Sequence, residues 1–189
     1  MTDPFRWGIL STADIGRRLI HAIRQSRNGV VTAVASRNRA RAERWAAEHS
    51  IPHAFGSYDE LLRSKVVDGV YLPLPNALHA EWTIRALEAG YPVLCEKPIA
   101  ANATEAKQIQ AASACTGLFV AEAFMYRFHP MFERLHALIR EGAIGTVSTL
   151  FSRFTFLLED RTVNVTSAEL AGGALRDVGC YCVNVARLQ

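Results

Sequence analysis

The stretch HAEWTIRALEAGYPVLCEKP, residues 79–98, changes period in its middle. Over 79–90 apolar residues recur at helical spacing, and Gly90 stands where a helix would stop. From Tyr91 a short apolar run leads directly into Glu96, Lys97 and Pro98, so the segment reads as helix, stop, strand and then a charged pair held against a proline. Working outward, the same alternation recurs. RWGIL (6–10), GVVTAVAS (29–36), DGVYLPL (68–74) and LFVAEAF (118–124) read as further strands. Between them lie helical patterns at Ile15 to Arg24, Arg39 to His49 and NATEAKQIQAASACTG (102–117), the last with Asn102 or Thr104 available as its cap. Short apolar strands alternating with amphipathic helices predict a doubly wound α/β domain around a parallel sheet, over residues 1–122.

After that domain the character changes. PMFERLHALIREGAIG (130–145) predicts one connecting helix, and TVSTLFSRFTFLLED (146–160) is too long for a buried parallel strand. Leu150, Ser152, Phe154, Phe156 and Leu158 fall on one side of it, with Thr149, Arg153 and Thr155 on the other, as in an open, mainly antiparallel sheet with one covered face. Residues 123–189 are therefore expected to be the first part of a second α/β domain. The closing stretch DVGCYCVNVARLQ reads as a helix in mid-course, so the expectation is a piece of a longer protein.

The bulk numbers exclude several classes. Of 189 residues, 50% are apolar and 21% charged, which suits a globular protein and neither a disordered nor a fibrous one. No stretch approaches the roughly 18 apolar residues of a membrane span, and the amino terminus lacks the pattern of a secretory signal, so a cytoplasmic protein with no membrane partner is expected. Four cysteines without a C-x-x-C pair read as reduced thiols. Cys180 and Cys182, two residues apart on a helix, would point about 200° apart, which favours packing over metal ligation, and no metal site is expected. The net charge of +3 does not call for a nucleic-acid partner. The arginines crowded into the first quarter, from Arg17 and Arg18 to Arg41 and Arg44, read first as wet faces of two helices.

In an open parallel sheet ligands settle beyond the carboxyl ends of the strands, near the point where strand order reverses. The first strand-to-helix turn runs Gly8-Ile9-Leu10-Ser11-Thr12-Ala13-Asp14-Ile15-Gly16. A dinucleotide fingerprint, G-x-G-x-x-G, laid over Ser11 to Gly16 keeps only its last glycine, with the small residues Ser11 and Ala13 in the other places. Glycine serves there so that a pyrophosphate can approach bare backbone at a helix N-terminus; small residues obstruct least, and Ser11 and Thr12 add hydroxyl donors. The second strand ends in Ser36-Arg37, about 20 residues on, where an NAD-preferring site has an acid bonded to the ribose. A guanidinium can instead grip a 2′-phosphate, so NADP is the expected cofactor, with NAD possible. The competing reading makes Arg37 a solvated loop cation. Glu96 and Lys97 should face the same rim, with an X-Pro turn fixing Lys97 toward the nicotinamide end and Glu96 orienting it by a hydrogen bond or ion pair.

Four segments in order, GILSTADIG, PLPNALHAEWTIRALEAGYPVLCEKPIA, EAFMYRFHP and GGALRDVGCYCVN, resemble the glucose-fructose oxidoreductase, inositol dehydrogenase and rhizopine catabolism family, written Gfo/Idh/MocA. Within it they look closest to the branch of trans-1,2-dihydrodiol dehydrogenase and NADP-dependent D-xylose dehydrogenase. The resemblance implies a Rossmann domain followed by an α/β domain whose open sheet carries substrate contacts and often a homodimer interface. It implies that Lys97 contacts the cofactor and is catalytic, that Leu74, Asn76 and His79 border the cofactor, and that Arg127 contributes to the cofactor or substrate pocket. Where many relatives have an aspartate and a histidine four residues apart, this chain has Asp177 and Tyr181, which on a helix share one face. Tyr181 with Lys97 then makes a proton-transfer pair, the ammonium stabilising a phenolate, and Asp177 orients substrate hydroxyls. The activity implied is hydride transfer between NADP(H) and a carbinol of a polyol, sugar or dihydrodiol. A cofactor-sensing binder without catalysis and an inactive fragment are the rival readings.

Overall fold

The computed structural model describes residues 3–160 and 164–188. Two compact units divide the chain, Met1–Glu122 and Ala123–Gln189.

The first unit is a six-stranded parallel sheet in the order β3-β2-β1-β4-β5-β6. Its strands are β1 (Phe5–Leu10), β2 (Gly29–Ala35), β3 (His53–Phe55), β4 (Gly69–Leu72), β5 (Val93–Cys95) and β6 (Val120–Glu122). Helices α1 (Ile15–Gln25), α2 (Arg39–Glu48), α3 (Tyr58–Arg63), α4 (His79–Glu88) and α5 (Ala103–Thr116) make the crossovers. Every ladder is parallel, so all six strands deliver their carboxyl ends to one edge, and strand order reverses between β1 and β4. Because side chains alternate along each strand, two cores form. Ile9, Val34 and Tyr71 pack with Ile20, Ile23 and Trp45 on the face covered by α1 and α2. Leu10, Ala33, Ala35, Val70, Leu72, Val93 and Cys95 pack on the other with Leu61, Leu62, Ala86 and Leu87.

The helix boundaries follow local chemistry. Asn38, Ser57 and Asn102 each accept a hydrogen bond from the amide three residues on, capping α2, α3 and α5. Gly90 after α4 takes φ +94°, a conformation that lets the chain reverse tightly into β5. Gly16, in the first turn of α1, lies so close to Trp45 that a Cβ would sit 3.2 Å from its ring, so this glycine serves helix packing.

The second unit holds α6 (Pro130–Arg140), capped by the His129 ring accepting from the Met131 amide at 3.1 Å, and α7 (Cys180–Arg187). A π-helical turn, Leu175–Gly179, runs into α7. The long strand expected over 146–160 is not formed among the described residues, and the open antiparallel sheet expected to begin there is not seen in them. A strand exists only through ladder bonds to a neighbour, and the described residues supply none to this segment. Its alternation survives as exposure: Leu150, Phe154 and Phe156 are 40%, 48% and 54% exposed, whereas Phe151 and Leu157 reach 87% and 82%. No helix among the described residues is long and apolar enough to cross a membrane.

Candidate functional site

At the carboxyl edge of the first unit's sheet, β1 passes into α1 through Ser11 to Asp14. Ser11, where the fingerprint has its first glycine, adopts φ +153°, a backbone setting that side chains rarely take. Its hydroxyl oxygen accepts from the Ala13 amide at 3.1 Å and keeps its own proton to donate. Unlike α2, α3 and α5, α1 has no side-chain cap: the Gly16 and Arg17 amides turn back to the Ala13 and Asp14 carbonyls, and the exposed Asp14 carboxylate pairs with Arg17 at 3.4 Å, which leaves the positive end of the helix dipole at the rim. Thr12 is buried, Ala13 half-buried and Ile15 exposed beside them. An anion fits here. Gly8, expected beside the cofactor, is buried inside β1, where a Cβ would meet Leu61 and Val67 at 3.0 Å, so its bareness serves core packing.

At the end of β2, Ser36 is 8% exposed and accepts from the Asn38 amide at 3.3 Å. The arginines that follow are not equivalent. Arg39 is committed to Glu60 at 2.6 Å, the same carboxylate that accepts from the Gly56 amide. Arg37 and Arg41 are exposed, have no carboxylate partner among the described residues, and flank the buried Tyr58. Burial pushes the Tyr58 phenol up while both guanidiniums pull it back, which places two cations around one hydroxyl. Trp82 meets the Tyr58 ring edge-on at 4.8 Å and carries Arg85 over its own face at 4.2 Å. Tyr58 drew no notice in the sequence because its helix has only six residues.

The third part of the rim is the turn after β5. The Glu96 amide donates to the Leu72 carbonyl at 3.2 Å; Glu96 Oε1 accepts from the Tyr71 hydroxyl at 2.7 Å and Oε2 from the Lys97 amide at 3.2 Å. The Lys97-Pro98 bond is cis. Asn76 opens the short turn Asn76–Leu78 beside this rim and is half-buried. His79 is fully buried, with Nδ1 2.7 Å from the Pro98 carbonyl oxygen and Nε2 2.8 Å from that of Leu74. It is thus an internal strut between two loops, its ring engaged with the protein itself. The Leu74 side chain is likewise taken up by the core.

Cys95 sits beneath this turn. Burial, then the negative charges of Glu96 and Glu122, push its thiol up to about 12, with Thr83 opposing. The native state therefore holds that proton more tightly than the unfolded chain, and this contribution to stability fades as pH rises from about 9 toward about 12. With a thiol reagent at pH 8, the exposed Cys115 should react readily while Cys95 labels only as the protein unfolds. Peptide mapping of the labelled protein checks this, and labelling of native Cys95 at the rate of Cys115 would contradict it.

In the second unit, Asp177 and Tyr181 lie on the continuous run formed by the π turn and α7. The Tyr181 ring is packed among Phe124, Phe154 and Tyr126, at 5.3, 5.5 and 5.9 Å, and its hydroxyl points at Met125 Sδ, 3.8 Å away. Tyr126 in turn hydrogen-bonds Asn184 of α7. Arg127 is exposed on the short turn Met125–Phe128.

A parallel sheet reversing at β1/β4, an uncapped first helix at that crevice and a lysine turn on the same edge define a dinucleotide-binding α/β protein. Comparison with known proteins narrows this. The sequence model of the oxidoreductase family with an NAD-binding Rossmann fold, Gfo/Idh/MocA, matches residues 5–124, and that of the Gfo/Idh/MocA C-terminal domain matches residues 132–188. The chain belongs to this family. It is 44% identical to D-xylose 1-dehydrogenase (NADP(+)) 2 of Haloferax volcanii over 96% of its own length and 56% of that protein's. It is 38% identical to trans-1,2-dihydrobenzene-1,2-diol dehydrogenase of Xenopus laevis, over 94% of the chain and 54% of the relative. The crystal structure of KijD10, a 3-ketoreductase from Actinomadura kijaniata, in complex with NADP and TDP-benzene, superposes with a TM-score of 0.93 at 36% identity, covering 98% of this chain and 57% of that one. Further structures of KijD10 carry a tyrosine-to-phenylalanine or a lysine-to-alanine replacement. The chain spans about half the length of the relatives it matches.

Proposed function

We propose that residues 1–122 bind NADP(H) and that residues 123–189 begin the substrate domain of an oxidoreductase moving a hydride between nicotinamide and the carbinol or carbonyl carbon of a sugar, polyol or dihydrodiol. The observation that carries this reading is the lysine turn, fixed by side chains on the same sheet edge as the uncapped N-terminus of α1. Bound NADP(H) supplies the hydride chemistry. The protein supplies position and protons: Ser11, Thr12 and the amides opening α1 hold the pyrophosphate, Ser36 and Arg37 the 2′-phosphate, and Lys97 and Tyr181 handle the substrate proton while Asp177 orients hydroxyls. The two positions replaced in the KijD10 structures are separated by the same number of residues as Lys97 and Tyr181 here, which supports pairing them. The named relatives that act on D-xylose and on a dihydrodiol support the substrate class. A cytoplasmic protein whose open sheet forms a homodimer at natural length completes the proposal.

Titration by nicotinamide fluorescence tests the cofactor assignment on the 189-residue chain. NADPH should bind more tightly than NADH by a factor of about 100, and Arg37→Asp should abolish most of that preference, since it replaces a bidentate cation with a repelling anion. Equal affinity for the two cofactors in the unaltered chain overturns the assignment to NADP.

The exposed apolar side chains of the second unit, with Phe128, Phe151 and Leu157 all more than four-fifths exposed, favour a second reading for the isolated 189-residue chain: self-association through this surface, without activity. Size-exclusion chromatography of that chain distinguishes the two.

A further inference from the structure

Pro98 has no amide proton, so the lysine turn has two amide donors next to it, those of Lys97 and Ile99. Both go to side-chain carboxylates. Lys97 donates to Glu96 Oε2 at 3.2 Å, and Ile99 donates to Glu122 Oε1 at 2.8 Å. The two acids come from different places. Glu96 is braced by Tyr71, whose ring belongs to the core beneath α1 and α2. Glu122 ends β6 in register with Cys95, whose side chain packs in the opposite core. Its carboxylate lies close enough to Cys95 to raise that thiol, as Glu96 does. A half-buried acid closing an apolar strand is costly to place unless its oxygens are used, and here one is bonded to the residue just beyond the proline.

We propose that Glu122 is a positioning residue: with Glu96 on the other side, it clamps the cis-proline turn and thereby fixes where Lys97 stands at the sheet edge. The proposal rests on the reading of Lys97 given above, but its structural part does not. Removing the Glu122 carboxylate leaves the Ile99 amide without this acceptor, so that the far side of the turn loses one tether while the His79 ring keeps its contact with the Pro98 carbonyl. Glutamine retains a carbonyl acceptor of nearly the same reach, so an effect that depends on hydrogen bonding is rescued by Glu122→Gln and one that depends on charge is not.

The test compares the wild-type chain with Glu122→Ala and Glu122→Gln. Hydrogen exchange followed by NMR should show the Ile99 amide protected in wild type and in Glu122→Gln, and exchanging at least about ten-fold faster in Glu122→Ala, a change of about 1.4 kcal/mol. The Leu72 amide, inside β4, should keep its protection in all three, which separates a loosened turn from global unfolding. In the protein at natural length, kcat with NADP and an aldose should fall about ten-fold or more in Glu122→Ala, with KM for NADP within about two-fold of wild type, and recover in Glu122→Gln. Unchanged Ile99 exchange in Glu122→Ala overturns the clamp, as does a Glu122→Gln protein as loose as the alanine variant. Absence of turnover in every form, wild type included, would count against the oxidoreductase reading while the exchange data still decide the clamp.

Discussion

Replacing Lys97 by alanine should lower turnover of NADP with a responsive aldose by about 10³-fold, within the range by which a positioned proton-transfer group accelerates a reaction. The loss should fall on kcat, with NADP affinity altered by no more than a few-fold, because the proposed phosphate contacts lie at Ser11, Ser36 and Arg37, outside the lysine turn. The backbone of that turn is held by Leu72, Tyr71 and His79 through groups that the substitution leaves in place. The variant is therefore expected to stay folded and lose the proposed chemistry. Steady-state kinetics on the protein at natural length, paired with fluorescence titration of NADPH, separates the two effects. Turnover within ten-fold of wild type would remove Lys97 from the proton-transfer role.

The largest effect on stability is expected at Leu72. This side chain is fully buried in β4, which lies between β1 and β5, and it packs in the core that also contains Leu10, Leu61, Leu87 and Cys95. Leu72→Ala removes buried methyl groups and leaves a cavity that a strand with neighbours on both sides cannot easily close, which costs about 2–5 kcal/mol. Leu157→Ala, at a position 82% exposed, should change stability by no more than about 0.5 kcal/mol. Urea unfolding of the two variants in parallel checks both. A Leu72→Ala protein as stable as wild type would contradict close packing around β4.

The parallel sheet was legible because its central strands are continuous valine, leucine and alanine runs bounded by recognisable caps and stops. Asn102 does cap its helix, and Gly90 does end one. What escaped notice was β3 with α3. His53–Phe55 is a three-residue edge strand with no room for an alternating pattern, and Tyr58–Arg63 is too short to display helical periodicity. Ser57 followed three residues later by Glu60 was the readable signal, since that pair matches a capping box. The segment 146–160 erred the other way. Its alternation is real, and it predicted which side chains are the more covered, but alternation describes a strand's faces and says nothing about whether a neighbour exists to pair with it.

Around the rim, sequence position identified the turn after β1, the end of β2 and the lysine turn, since each follows directly from where a strand stops. Contact is harder to read than position. Gly8, Leu74 and His79 lie next to these turns in sequence, yet all three are buried and engaged with the protein itself. Tyr71 and Glu122 were missed because each acts across strands, and a linear pattern does not show which residue of a neighbouring strand stands alongside. Glu122 had a signal of its own, an acid closing an apolar strand just as Glu96 does, and strand register is what joins the two.

Ser11 bears on how candidate phosphate-binding loops are recognised. Its φ of +153° places a residue with a side chain in a backbone setting that glycine usually fills. Glycine counting would therefore overlook loops of this kind in other genomes, whereas a scan for the dihedral setting, whatever residue holds it, would retrieve them.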